Sequence, residues 1–481
     1  MTHDRETDRR RGSDLQRVAA ATALSAALYV VVALCEPAVT SHAHRHAALL
    51  GYTTAIAGLF GVYGALLREM QHVRSPAATR LGFAAPLLFQ LAWLAIPPRL
   101  SIDVLSYIAD GYLWRLGLNP YTHASREIAA TSYAAGLAAY GWRPVHNISP
   151  YGPLWMLIEL AVTRHTISLS TSIVLMKALA LSANAMIAAT VFATVDRGSD
   201  GPPLATMLYW WNPLVIMECA AEGHNDAVMV LLVMLGLSSI TRHRPVRGIM
   251  GMAAAVVVKY LPALFGGPVL VYLWRTSDRR RFARTMIIAA PLVIVLAVCA
   301  YAPLWAGHDT FRGVHVAGMP TFGPGTSGAV FRVVASAVGS ARAAKYLALG
   351  SAAFLLAVVA ASSRRVHGRE TLFGACATVA LAYVLVAAPR YWSWYVVMPA
   401  ALLAVSPTRA NIALILVLTA CAALVAPWDI VRVAGAVDWP LESWATTVVG
   451  VWIPLLLWMA IRRRPTWTGL GPISCFAGND S

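Results

Sequence analysis

The chain has 481 residues, 58% of them hydrophobic and only 12% charged, against roughly a quarter charged in ordinary soluble domains, which excludes a soluble enzyme. A mean hydropathy of +0.62 requires apolar segments along nearly the whole length rather than one or two anchors. The net charge of +16 is no nucleic-acid signature, because the arginines gather in short segments between apolar runs instead of interleaving with aromatics on a polar face.

The expected fold is all-α: a polytopic transmembrane helical bundle of about 12–14 spans with a large first loop carrying interfacial helices. A tail over 1–17 precedes a single transmembrane domain over 18–464, and a second tail covers 465–481. Spans are expected over 18–35, 47–67, 81–96, 171–195, 204–219, 227–240, 282–303, 343–361, 371–388, 394–405, 410–425 and 444–461. The stretch 249–274 holds Lys259, Pro262, Gly266 and Gly267 between two arginine clusters, so it reads as two short helices entering and leaving from one side. With the arginine clusters cytoplasmic, both termini are cytoplasmic, and 97–170, 221–226, 306–342 and 389–391 lie outside. The six cysteines are isolated, with no CxxC and no zinc spacing, and read as small core hydrophobes.

The polar motifs fall on the outer side. The loop 97–170 opens with Asp103, Tyr107 and Asp110, whose spacings of four and seven share one face of a helix. Two readings of Asp103 are open: an N-cap that starts an interfacial helix, or a general base facing a cavity between loop and membrane. Leu116-Gly117-Leu118-Asn119-Pro120-Tyr121 follows as a chain reversal that fixes the loop. Ser149-Pro150-Tyr151-Gly152-Pro153 then starts a helix over 151–164, too short to span lipid. Lys177 sits two turns inside the next span, where it either snorkels to headgroups or binds a substrate phosphate.

A second constellation packs Glu218, Glu222, His224, Asn225 and Asp226 into nine residues between two spans, more ionisable groups than a turn requires. Capping accounts for Asn225 or Asp226, and at least one of Glu222, His224 and Asp226 is expected to act on a ligand. No fixed metal-ligand spacing appears among them. The loop 306–342, with His315 and a Gly/Pro-rich stretch, is lid-like. Last, Arg390-Tyr391-Trp392-Ser393-Trp394-Tyr395 reads either as an interfacial belt or as a stacking platform for a sugar ring beside a phosphate-binding arginine.

Taken in order, D-x-x-x-Y, L-G-L-N-P-Y, S-P-Y-G-P-L-W, W-N-P-L with G-H-N-D-A, and the late aromatic corner resemble the GT-C superfamily of integral-membrane glycosyltransferases. Within it the chain looks most like the actinobacterial polyprenyl-phosphomannose-dependent alpha-1,6-mannosyltransferases. The resemblance runs from about Ser101 to Tyr395. It implies a polyprenyl-phosphate-sugar donor, a glycolipid or glycan acceptor, and an extracytoplasmic site in a cell-membrane protein. It also implies Asp103 as general base, the matching position in the superfamily's first loop. By location, Lys177, Arg390 and His315 are the phosphate-side candidates, and Glu222, His224, Asn225 and Asp226 shape the pocket, with Tyr107, Asp110, Tyr151, Trp392 and Tyr395 as further substrate-binding candidates. Large superfamily members append a soluble carbohydrate-binding domain, which is not expected here.

A sugar on a lipid monophosphate already carries a good leaving group, so a base for the acceptor hydroxyl and cations for the phosphate suffice. No cofactor is expected to be required, a divalent metal is optional, and no nucleotide-binding loop is expected. Arabinose or glucose could replace mannose on the donor. The competing class is a lipid-linked-sugar transporter or flippase, against which stand the lack of internal repeats and the gathering of acids at span ends. A third is a non-catalytic scaffold, in which Asp103 would be dispensable.

Overall fold

The computed structural model describes residues 2–40, 44–73, 75–144, 148–166, 168–195, 204–319, 324–433 and 442–463. The tail expected over 465–481, and residues 320–323 of the lid-like loop, lie outside them. Three long helices open the chain: α1 (Thr2–Thr40), α2 (Arg45–Met70) and α3 (Pro76–Leu94). α3 begins where the Ser75 hydroxyl accepts the Ala78 amide and Pro76 occupies a position that needs no N–H. Three shorter helices follow, α4 (Asp103–Arg115), α5 (Ser132–Ala139) and α6 (Pro153–His165), and then the long α7 (Leu169–Thr194).

The span expected over 204–219 is broken. α8 (Leu204–Trp210) stops at Trp211-Asn212, and the Asn212 side chain accepts the Leu214 and Val215 amides to start α9 (Pro213–Ile216). A wide turn over Met217–Ala221 leads to a corner at 222–225, where the chain bends by 117° into α10 (Asp226–Thr241). The stretch 249–274 divides as its mid-run Pro and Gly require, into α11 (Pro245–Val258), a single turn at Leu261–Phe265 and α12 (Gly266–Thr276). α13 (Arg279–Tyr301), α14 (Arg312–Ala317), α15 (Thr326–Val338), α16 (Ser340–Arg364), α17 (Arg369–Ala382), α18 (Val397–Ala404), α19 (Arg409–Val433), α20 (Glu442–Thr447) and α21 (Ile453–Arg463) complete an arrangement without strands among the described residues.

Eight of the described helices are long and apolar enough to cross a membrane, or up to nine if the bent pair around 222–225 is one span. Of the shorter apolar helices, Ser393–Ala404 and Ala445–Ala460 coincide with segments expected as spans, α11 belongs to the stretch expected as two short helices, and Thr326–Val338 falls in the loop expected outside. Burial separates rim from centre. α13 and α16 bury only 17% of their most apolar windows and expose Ile287, Ile294 and Leu356, whereas α17 buries 72%. Exposed apolar faces of that size suit hydrocarbon, not water.

Inside the bundle, polar groups are used in pairs, as burial demands. The Asn184 amide of α7 donates to Gln90 of α3 at 2.7 Å and accepts from the Tyr209 hydroxyl of α8 at 2.7 Å, tying three helices together. The α3 to α7 segment is held by the expected reversal: Asn119 accepts the Tyr121 amide at 3.0 Å and donates to the Leu304 carbonyl at 2.8 Å. α4 lies on α6 so closely that a Cβ on Gly111 would sit 2.4 Å from the Glu159 carbonyl oxygen. At the start of α6, Gly152 donates its amide to Val258 at 3.0 Å, so the end of α11 docks on this segment.

Candidate active site

The site is built where four stretches meet: the start of α4, the residues before α6, the 222–225 corner and the apex between α11 and α12. At the start of α4, Asp103 receives the Tyr107 hydroxyl at 3.4 Å, the one-turn contact that its spacing predicts. The Tyr151 hydroxyl donates to it at 3.3 Å, and His224 Nδ1 lies 3.5 Å away. All three contacts fall on Oδ2, and the side chain keeps 22% exposure. Burial alone would raise the Asp103 pKa, but His224, Lys259 and the Tyr151 hydroxyl outweigh it and hold the carboxyl below its ordinary value.

The second nitrogen of His224 stands 3.1 Å from a Glu218 carboxylate oxygen. Burial works against a charge on this ring, yet a carboxylate beside each nitrogen prevails and pushes its pKa up to about 10. The charged imidazolium therefore stands as an ion-pair partner between Asp103 and Glu218. The ring also stacks on Trp394 at 3.9 Å between centroids.

Glu222 does something else. Its carboxylate accepts the backbone amides of Arg99, Leu100 and Ser101 at 3.3, 3.2 and 2.9 Å. The side chain expected to shape a ligand pocket thereby pins the entry to α4, and so fixes Asp103 indirectly. A small cavity is lined by Ser101, Glu218, Glu222, His224, Ser393 and Trp394. Asn225 is fully buried with neither amide atom hydrogen bonded, and Asp226 holds the ammonium of Lys259 at 2.7 Å.

Lys259 is the member that sequence reading passed over. It ends α11 in an extended conformation, keeps 17% exposure, and sits over the rings of Tyr395 at 4.9 Å and Tyr151 at 5.8 Å. The signal was present: a lone lysine amid an apolar run marks function or a partner.

Other candidates stand elsewhere. Lys177 is fully buried and donates to the carbonyls of Trp93 and Ile96, capping the end of α3 rather than reaching toward headgroups. Arg390 pairs with Asp429 at 3.2 Å and lies 4.2 Å over Trp392. Trp392 stacks in turn on Trp394 at 4.7 Å, so the expected sugar platform is occupied by a continuous stack from Arg390 to His224. His315 is exposed on α14, with no described contact to the Asp103 cluster. Among the described residues no group of three or more His, Cys, Asp and Glu side chains is arranged to hold a metal ion.

Asp110 shares the face of Asp103 but lies deeper in the loop, near Ser149 and Glu159. Burial pushes it up to about 7 against the Ser149 hydroxyl, and Glu159 is raised well above its ordinary value by burial and by Asp110. A carboxyl whose pKa rises on folding contributes most below its unfolded value and loses that contribution as pH climbs through about 7. Asp110→Asn is therefore expected to raise the melting temperature at pH 8 by about 2–4 °C and to change it little at pH 4, measured by thermal unfolding in detergent.

Residues 15–276 match the family described as alpha-(1->6)-mannopyranosyltransferase, N-terminal domain. Alpha-(1->6)-mannopyranosyltransferase A of Corynebacterium glutamicum is 29% identical over 189 residues, which make up 39% of this chain and 36% of that protein. The protein of the same name in Mycobacterium tuberculosis is 28% identical over 238 residues, 48% of this chain and 43% of its own length. The matches thus span less than half of these relatives.

Proposed function

From the premise that the chain belongs to the alpha-(1->6)-mannopyranosyltransferase family, we propose that it is a membrane glycosyltransferase. In this reading it moves a mannosyl residue from polyprenyl-phosphate-mannose to a hydroxyl of a glycolipid or glycan acceptor on the extracytoplasmic side. The observation that carries it is the Asp103 carboxylate: ionised, partly exposed, and held through Oδ2 by Tyr107, Tyr151 and His224, which leaves Oδ1 for a substrate hydroxyl.

In the step proposed, the acceptor oxygen attacks the anomeric carbon as its proton passes to Asp103, and the bond from that carbon to the phosphate oxygen breaks. The electron pair leaves with the phosphate monoester, and a single in-line displacement inverts the anomeric centre. His224 positions the base and balances its charge from the side facing Glu218.

The positions of the arginines support this sidedness. α10 runs from Asp226 at the site to Arg242, α17 runs from Arg369 toward Arg390, and α3 runs from the Arg80 end toward Asp103. Each has its basic end away from the site, the pattern of a cytoplasmic face opposite an extracytoplasmic one. The testing experiment is a donor screen in sealed vesicles containing the protein, comparing polyprenyl phosphate that carries labelled mannose, arabinose or glucose. Transfer from the mannose donor to a mannoside acceptor is expected; transfer from another donor alone, or from none, would overturn the reading.

A further inference from the structure

A departing phosphate monoester needs a cation within reach of the reacting carbon, and four basic side chains were candidates on position or geometry. Lys177 is fully buried against two carbonyls, Arg390 stands at the far end of the stack Trp392–Trp394–His224 from the base, and His315 is exposed outside the cluster. The fourth, Lys259, shares Tyr151 with the base: the tyrosine hydroxyl meets Asp103 at 3.3 Å while its ring faces the ammonium at 5.8 Å. Base and cation thus contact two parts of one side chain, the hydroxyl and the ring face of Tyr151.

We propose that Lys259 is the residue that binds the phosphate of the lipid-linked donor and steadies it as it leaves. This rests on the donor reading above. An ammonium has three N–H donors, and Asp226 engages it at 2.7 Å, so donors remain for phosphate oxygens. Asp226 holds the lysine in place, as an acidic partner does for phosphate-binding lysines in other enzymes. The faces of Tyr151 and Tyr395 stabilise the same charge and displace water around it, which strengthens its attraction for an anion. The location also gives the short helices α11 and α12 a purpose: their apex carries the cation into the site.

The test measures binding of two probes to the full chain in lipid nanodiscs, polyprenyl phosphate and the matching polyprenol. The wild type is expected to prefer the phosphate. Lys259→Gln is expected to lose about 10- to 100-fold of phosphate affinity with polyprenol binding unchanged, and Lys259→Arg to recover most of it. A lysine that only braces Asp226 would lower binding of both probes together, and that outcome overturns the assignment. If the wild type transfers sugar while Lys259→Gln binds the phosphate as well as the wild type does, the lysine assignment falls and the donor reading stands. If the wild type shows no phosphate preference and takes sugar from no polyprenyl phosphate, the donor reading falls and takes the assignment with it.

Discussion

Replacing Asp103 by asparagine is expected to slow sugar transfer by about 10²- to 10⁴-fold, the span that general-base catalysis supplies, without loss of folded protein. Asparagine keeps the shape, and its carbonyl still accepts from the Tyr107 and Tyr151 hydroxyls that meet Asp103 at 3.4 and 3.3 Å. It has no site for the acceptor proton. The wild-type pH profile follows from the same neighbours. The carboxyl is held below its ordinary value because His224, Lys259 and Tyr151 outweigh the burial that would raise it. A depressed pKa leaves the base ionised throughout the neutral range, and the ionised form is lost only as pH falls through that lowered value. Transfer rates in vesicles are therefore expected to stay level from pH 8 to about pH 5 on account of this group. Asp103→Asn protein that folds normally and transfers at the wild-type rate would remove Asp103 as the base.

The features legible in the sequence were those that depend on local spacing. The contact between Asp103 and Tyr107 follows from a four-residue interval, and the reversal at Asn119-Pro120 from side-chain chemistry that acts within two residues. Spacing failed where a shared face was taken for a shared place. Asp110 lies on the Asp103 side of α4, but seven residues of helix is about 10 Å along the axis, enough to leave it among Ser149 and Glu159. Glu222 and Lys177 were hidden for another reason. Both satisfy backbone groups of distant segments, three amides at 99–101 and the carbonyls of Trp93 and Ile96, and such demands arise only once helix ends have been placed. The aromatic corner shows a third limit: composition announces stacking, while only packing decides whether the partner is a ligand or, as for Trp392 and Trp394, the chain's own Arg390 and His224.

Gly152→Ala is expected to be among the most damaging single-methyl changes in the protein. A Cβ at this position would sit 2.3 Å from the Val257 carbonyl oxygen and 3.1 Å from the Val258 carbonyl carbon, and backbone in a helix end cannot step aside as a flexible side chain would. Separating the two segments breaks the hydrogen bond from the Gly152 amide to Val258 at 3.0 Å. Overpacking costs about 1–3 kcal/mol, and an orphaned buried amide a further ~1–3 kcal/mol. The consequence for activity is larger than for stability. Gly152 follows Tyr151, which touches Asp103, and Val258 precedes Lys259, so the one close approach sets the distance between base and cation. A shift of about 1 Å in such a pair is enough to cost roughly 10²-fold in rate. Purified Gly152→Ala protein should therefore melt several degrees lower (on the order of 3–8 °C), and its transfer rate should fall about 100-fold at a temperature where it is still folded. Equal melting temperatures and equal rates would mean that the α11 apex is not docked on this segment, and the geometry linking Tyr151 to Lys259 would have to be abandoned.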